Sequence, residues 1–77
     1  MDILVFKTNV SSEEQVKTVQ PYLQRMTEIL RWNIDLLDDE FILRIEARHL
    51  NPRRVESALR YAGYDCEELG VFIGRVY

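Results

Sequence analysis

The chain has 77 residues, which predicts one domain spanning residues 1–77, and its 47% hydrophobic content excludes a disordered polymer. A formal net charge of −3 gives no electrostatic reason to expect nucleic acid or an anionic membrane as a partner. The single cysteine cannot form an internal disulfide, and no apolar stretch approaches the roughly 18 residues that a membrane span needs. The N-terminus does not read as a signal peptide, so we expect a cytoplasmic protein.

The first third of the chain predicts a strand followed by a helix. The apolar run at residues 3–7 is typical of a buried strand. Ser11 predicts the N-cap of the helix, with Glu14 completing a capping box. Pro21 lies inside this helix and should bend it, because proline removes a backbone hydrogen bond. Spacings of three and four predict one buried helical face: Val16, Val19, Leu23 and Met26.

From Ile29 the apolar period becomes alternating, which predicts a β-hairpin that reverses at Asp38 and Asp39. Trp32 should anchor the core on the covered face of the sheet. The residues expected to face the core are Trp32, Ile34 and Leu36 in the first strand and Phe41, Leu43 and Ile45 in the second.

A second helix follows, capped by Asn51 with Pro52 at its first position and ended by Gly63. Its predicted buried face comprises Val55, Ala58, Leu59 and Ala62. The remaining residues predict a last strand that is interrupted near Gly70.

This order of elements predicts an α+β fold, the ferredoxin-like βαββαβ sandwich. In that fold, two helices cover one face of a four-stranded antiparallel sheet. The other face should be open and mostly polar, and the hairpin residues expected on it are Arg31, Asn33, Asp35, Ile42, Arg44 and Glu46. The five polar members of this set form the candidate face for binding another protein, with an edge strand or the first loop as the alternatives.

The sequence resembles the heavy-metal-associated domain family, the small fold of copper chaperones and of the N-terminal modules of metal pumps. The resemblance covers residues 3–69, and the segment AGYDCEEL fits the close of the family pattern. It is nearest to a bacterial subgroup with the pattern KTN-I/V-x-C-x-x-C-V-x-x-V-x-P-x-L, followed by W-x-V-D. The residues in register are Lys7, Thr8, Asn9, Val10, Val16, Val19, Pro21, Leu23, Trp32 and Asp35, with Ile34 at the valine.

In this alignment the two metal-binding cysteines of the family fall on Ser12 and Gln15. Soft thiolates select Cu(I), and neither a hydroxyl nor an amide replaces them. Tyr64 falls where the family places a residue beside the metal loop. The resemblance therefore implies a lost metal site, no cofactor, and a non-catalytic protein-interaction or regulatory module. The alternative is a copper-chaperone-like protein with relocated ligands, which could use Cys66 from two subunits.

Other candidate sites are weaker. Cys66 should be a small, inert core residue, and His49 a surface loop residue with no catalytic partner. The acidic residues 38–40 lack the spacing of a calcium loop. Arg53 and Arg54 oppose the helix dipole; we expect a solvated face there, with an acidic partner as the alternative. No motif predicts an enzyme.

The C-terminal segment GVFIGRVY is rich in strand formers, including Val71, Phe72, Ile73, Val76 and Tyr77. In the ferredoxin-like order the last strand lies at a sheet edge, and bare apolar edges attract other chains. We expect this segment to complete its own sheet beside residues 3–6. A weak homodimer through the same edge is the alternative.

Overall fold

The computed structural model of the protein describes residues 1–73. The elements are β1 (Asp2–Thr8), α1 (Glu13–Gln24), β2 (Ile29–Ile34), β3 (Leu43–Ala47), α2 (Pro52–Tyr61) and β4 (Cys66–Ile73). The four strands form one antiparallel sheet in the order β2-β3-β1-β4, which confirms the ferredoxin-like prediction. Neither of these helices is long and apolar enough to cross a membrane.

The core lies between the sheet and the helices. In the central pair of strands, Leu4 faces Ile45 and Phe6 faces Leu43, so the alternation read from the sequence places these residues correctly. Apolar residues on the inner faces of both helices close the core from the other side. The fully buried members of these elements are Leu4, Phe6, Val19, Leu23, Leu43, Ile45, Ala47, Val55 and Leu59.

Trp32 lies on the covered face of the sheet, as predicted, but at the margin of the core. It is half-buried, lies opposite Ile45 and packs against the buried cluster. The reason for its partial exposure is that β2 is an edge strand, so the indole ring has core neighbours on one side only.

The hairpin strands are shorter than the sequence predicts, because Leu36 and Phe41 belong to the turn. The Asp35 carboxylate accepts a hydrogen bond from the Leu37 amide (3.0 Å), and the Asp38 carboxylate accepts one from the Glu40 amide (2.8 Å). These two side-chain turns, together with a positive φ of 46° at Phe41, end the alternating pattern on both sides.

Helix α2 begins and ends as predicted. The Asn51 side chain accepts a hydrogen bond from the Arg53 amide (2.9 Å), Pro52 occupies the first helical position, and Gly63 follows with φ of 99°. A side chain at Gly63 would be strained at this angle whatever the space around it.

Strand β4 is continuous, so the predicted interruption near Gly70 is wrong. Gly70 lies opposite Val5 while Glu68 lies opposite Phe6, which leaves Leu69 as the extra residue of a β-bulge. Residues 71–73 pair with residues 2–4, which confirms that this part of the C-terminal segment completes its own sheet. Val76 and Tyr77 lie outside the described residues.

The two arginines at the start of α2 are exposed, as the expectation of a solvated face requires, and both also form ion pairs within the chain. Arg54 pairs with Glu28, and Arg53 pairs with Glu56 and with Glu68 (2.9 Å). Pairing with acidic side chains compensates for their unfavourable position in the helix dipole. Two of these pairs could not be predicted from local sequence patterns, because Arg54 and Glu28 are 26 residues apart and Arg53 and Glu68 are 15 residues apart.

Glu56 is only 5% exposed and connects α2 to β4. Its carboxylate accepts a hydrogen bond from the backbone amide of Glu68 (2.8 Å) and another from Arg53. The Glu68 amide and, secondly, Arg53 favour the charged form and hold the pKa of Glu56 below its usual range. Sequence reasoning missed this buried carboxylate because its partners lie on another element.

We expect Glu56→Gln to lower the free energy of unfolding at pH 7 by about 1–2 kcal/mol, because the amide keeps the acceptor but loses the ion pair. Because the pKa of Glu56 is lowered in the folded state, its charged carboxylate stabilises the fold at pH values above the ordinary carboxyl pKa. This contribution disappears as the pH falls through the lowered pKa. The difference between wild type and variant in urea unfolding should therefore shrink at low pH. The exposed neighbour Glu67→Gln is the control, and an equal effect there would contradict the assignment.

Candidate functional site

The loop between β1 and α1 is held in place from the end of β1. The Thr8 hydroxyl donates to the carbonyl of Phe41 (2.7 Å) and accepts from the amide of Val10 (3.2 Å). Val10 is fully buried and anchors the loop to the core. The loop is therefore a fixed part of the fold.

Asn9 ties the same loop to the segment that precedes β4. Its side-chain oxygen accepts from the backbone amide of Asp65 (2.8 Å), and its side-chain nitrogen donates to the Asp65 carboxylate (3.4 Å). Thr8 and Asn9, two residues of the subgroup pattern, therefore form side-chain hydrogen bonds with neighbouring segments of the chain.

Ser12 and Gln15, the residues at the two cysteine positions of the resembled pattern, form the start of α1. The Ser12 hydroxyl accepts a hydrogen bond from the Gln15 amide (3.2 Å). In return, the Gln15 side-chain oxygen accepts from the amide (2.7 Å) and the hydroxyl (3.2 Å) of Ser11. Both side chains are thus engaged in a reciprocal helix cap.

The predicted cap of Ser11 with Glu14 is wrong by one residue. Ser12 has the extended backbone of an N-cap, with φ of −144° and ψ of 159°, and α1 begins at Glu13. Both serines have a glutamate or glutamine three residues later, so both match the capping-box pattern and the sequence alone does not choose between them. Glu13 and Glu14 instead occupy the first turn, where the helix dipole favours negative charge.

This donor set does not suit a soft metal. Ser12 and Gln15 offer neutral oxygens that already accept backbone hydrogen bonds, whereas Cu(I) selects thiolates. In residues 1–73, no three His, Cys, Asp or Glu side chains cluster in a way that could hold a metal ion.

Cys66 is a buried core residue, 2% exposed, and lies opposite Thr8 in the sheet. Burial is the main reason that the pKa of its thiol is raised to about 12, with the nearby Glu56 charge acting in the same direction. The thiol is therefore protonated at neutral pH, as an inert core cysteine should be.

Tyr64 and His49 lie on either side of α2. Tyr64 is half-buried against the core, and its amide donates to the carbonyl of Leu59 (2.9 Å) at the end of α2. His49 is exposed in the turn before α2, with a positive φ of 49°.

The polar residues predicted for the open face lie side by side on β2 and β3. Arg31 faces Glu46 and Asn33 faces Arg44 across the strand pair. The guanidinium of Arg31 donates to the Glu46 carboxylate (2.6 Å), so these two charges compensate each other. Asp35 follows at the end of β2. The structure gathers this set, and its role in binding stays a prediction.

Solved structures of metal-binding domains share this fold. The yeast copper transporter domain Ccc2a, solved in the apo and Cu(I)-loaded states, gives a TM-score of 0.77 at 12% identity, covering 91% of this chain and 97% of that one. The Cu(I)-loaded first domain of the human copper chaperone for SOD1 gives 0.74 at 17% identity, covering 90% and 93%. The N-terminal domain of ZntA in its Zn(II) form gives 0.75 at 17% identity, covering 88% and 92%.

No protein-family model and no curated protein sequence matches the chain. At these identities the similarity to solved structures shows the fold alone. The chain has the fold of heavy-metal-associated domains, as the sequence resemblance implied.

The cap predicts different losses of stability when Ser11 and Ser12 are each replaced by alanine. Ser12→Ala should lower the free energy of unfolding by about 1 kcal/mol, because the Gln15 amide loses its acceptor. Ser11→Ala is the matched control: it keeps the backbone amide that donates to Gln15 and should cost less. Chemical denaturation of both variants measures the difference. A larger loss for Ser11→Ala would restore the cap read from the sequence.

Proposed function

We propose that this protein is a non-catalytic domain of the heavy-metal-associated fold that has lost its metal-binding cysteines and serves as a protein-interaction or regulatory module in the bacterial cytoplasm. The observation that carries the proposal is the use of Ser12 and Gln15. Where the resembled pattern has two thiolates, this chain has a hydroxyl and an amide that cap α1.

The retained loop supports loss of a site within a preserved fold. Thr8, Asn9 and Val10 keep the residues of the subgroup pattern, and each makes a defined structural contact. These contacts hold the loop without a metal. The contacts that stabilise the loop are therefore independent of metal binding, so the fold can persist without the two thiolates.

The alternative is a metal-handling protein with relocated ligands, and Cys66 is the residue on which it depends. Cys66 is buried beneath the helices, its thiol has a raised pKa, and its own carbonyl accepts a hydrogen bond from Arg60 (3.3 Å). Sharing this sulfur with a second subunit would require the core around it to open. The burial of Cys66 therefore favours the interaction module over the relocated site.

A protein partner is supported by the open face of the sheet and by one structural neighbour, a domain of a chaperone for another protein, SOD1. We assign the binding role to the five polar residues of that face: Arg31, Asn33, Asp35, Arg44 and Glu46.

The loss of the site is tested by restoring it. Wild-type protein should not retain Cu(I) against a chromogenic chelator under reducing conditions, whereas Ser12→Cys combined with Gln15→Cys should retain one Cu(I) per chain. Without metal the double variant should be about 1 kcal/mol less stable than wild type, because it lacks the cap. Added Cu(I) should reverse this loss.

The control for this experiment is Ser11→Cys combined with Gln15→Cys, which supplies two thiols at a different spacing. It should bind Cu(I) more weakly than the double variant at Ser12 and Gln15. Tight binding by the wild type, or equal binding by both double variants, would contradict the proposal.

The interaction role is tested on the open face. Proteins captured from a bacterial lysate by immobilised wild type, and identified by mass spectrometry, should be lost when the exposed Arg44 is changed to glutamate. The exposed Arg48→Glu, outside the candidate face, should retain them. Equal capture by both variants would remove the face from the proposal.

A further inference from the structure

The two edges of the sheet are not equivalent. Side chains of α2 bind the outward backbone groups of β4, since Arg60 donates to the Cys66 carbonyl (3.3 Å) and Glu56 accepts from the Glu68 amide (2.8 Å). A second chain would have to displace both bonds to pair with this part of β4. The edge considered for a homodimer on sequence grounds is therefore partly occupied.

At the other edge, the hydrogen-bond pattern shows which backbone groups of β2 point outward. The Asp35 amide donates to the carbonyl of Ile42 (2.9 Å), which makes these two residues a bonded pair. Bonded pairs alternate along an antiparallel ladder, so Asn33 and Arg31 also direct their backbone groups toward β3. Trp32 and Ile34 then direct their N–H and C=O groups toward the free edge.

Within residues 1–73, no turn, loop or side chain donates to or accepts from these outward groups of Trp32 and Ile34. Between this edge and α1 lies a groove of about 400 Å³ whose apolar lining is Val16, Trp32, Ile34 and Leu36. Glu13 and Lys17 of α1 line the same groove. The edge thus offers unpaired backbone groups beside an apolar surface, as strand addition requires.

The sequence of this edge is complementary to itself. If two copies pair antiparallel with a two-fold axis at Asn33, Arg31 lies opposite Asp35 of the other copy and would share its charge between that carboxylate and Glu46 of its own chain. In the same register Trp32 lies opposite Ile34 of the other copy, and these residues carry the outward backbone groups. Centring the axis on Trp32 would instead place Arg31 opposite Asn33 and lose the charge pair. Only the axis at Asn33 pairs opposite charges, pairs Trp32 with Ile34, and also places the outward backbone groups of the two copies opposite each other.

We propose that a second copy of this chain pairs with the free edge of β2, antiparallel and centred on Asn33, and joins two four-stranded sheets into one of eight strands. Backbone hydrogen bonds between Trp32 and Ile34 would link the copies, and Arg31 would face Asp35 at each end. The paired segment is short, so the dimer is weak and forms at high protein concentration.

The residue at the axis provides a charge test, because Asn33 is exposed and lies opposite its own copy. Asn33→Asp and Asn33→Lys should each weaken self-association in sedimentation equilibrium by about tenfold or more, since like charges would meet directly. An equimolar mixture of the two variants should restore association as a heterodimer. Circular dichroism of each variant checks that the monomer stays folded.

The register is tested by a disulfide. Residues opposite each other in a non-bonded pair have Cα atoms about 4.5 Å apart, within the range of about 4.4–6.8 Å that a disulfide spans. Asn33→Cys should therefore form a covalent dimer under mild oxidation. Arg44→Cys is the control: it lies on the same face, opposite Asn33, but on β3, where it cannot reach its own copy. The native Cys66 is buried and should not compete.

Four outcomes would overturn the proposal. The wild type could stay monomeric at millimolar concentration, or its dimer could be weakened by neither charge variant. The two charge variants could fail to associate when mixed, or Asn33→Cys could cross-link no faster than Arg44→Cys. If the dimer persists in both charge variants, it forms through the edge of β4 or through another surface.

Discussion

The burial of β1 between β3 and β4 is the constraint on which the rest of the structure depends. Leu4 and Phe6 are fully buried, and the strand pairs with a neighbour on each side along almost its whole length. The end of this strand fixes Thr8, whose hydroxyl holds both the loop that follows and the turn before β3. The start of α1 is therefore positioned by the sheet, whatever the chemistry of the loop.

A spacing of three residues at a helix start serves two kinds of chemistry. It brings two thiolates of a C-x-x-C motif to one metal, and it also brings a Ser12 hydroxyl to the Gln15 amide. At the two positions where the resembled pattern has cysteines, this chain thus has a stabilising cap. Folding alone would then no longer require a metal ligand at either position.

The fold could be predicted because its signals are local: apolar periods, the Asn51 cap, Gly63 and the strand-rich ending all act within a few residues. The errors arose where the decisive partner is distant or the local pattern is ambiguous. Ser11 and Ser12 match the same capping pattern, and the bulge at Leu69 depends on the register with β1. The carboxylate of Glu56 is explained only by Arg53 and the Glu68 amide, which packing brings to it. The candidate site was located by resemblance, since Ser12 and Gln15 carry no chemical signal of their own.

The same helix–strand contacts that stabilise the domain also determine how it can associate. Glu56 and Arg60 project from α2 onto β4, so two outward groups of that strand, the Glu68 amide and the Cys66 carbonyl, are bound within the chain. Helix α1 lies beside β2 but leaves a groove between them, which Glu13, Val16 and Lys17 of the helix line. One helix therefore protects its edge and the other does not. This asymmetry follows from the side chains that each helix presents, and it favours strand addition at the edge where Arg31, Asn33 and Asp35 lie.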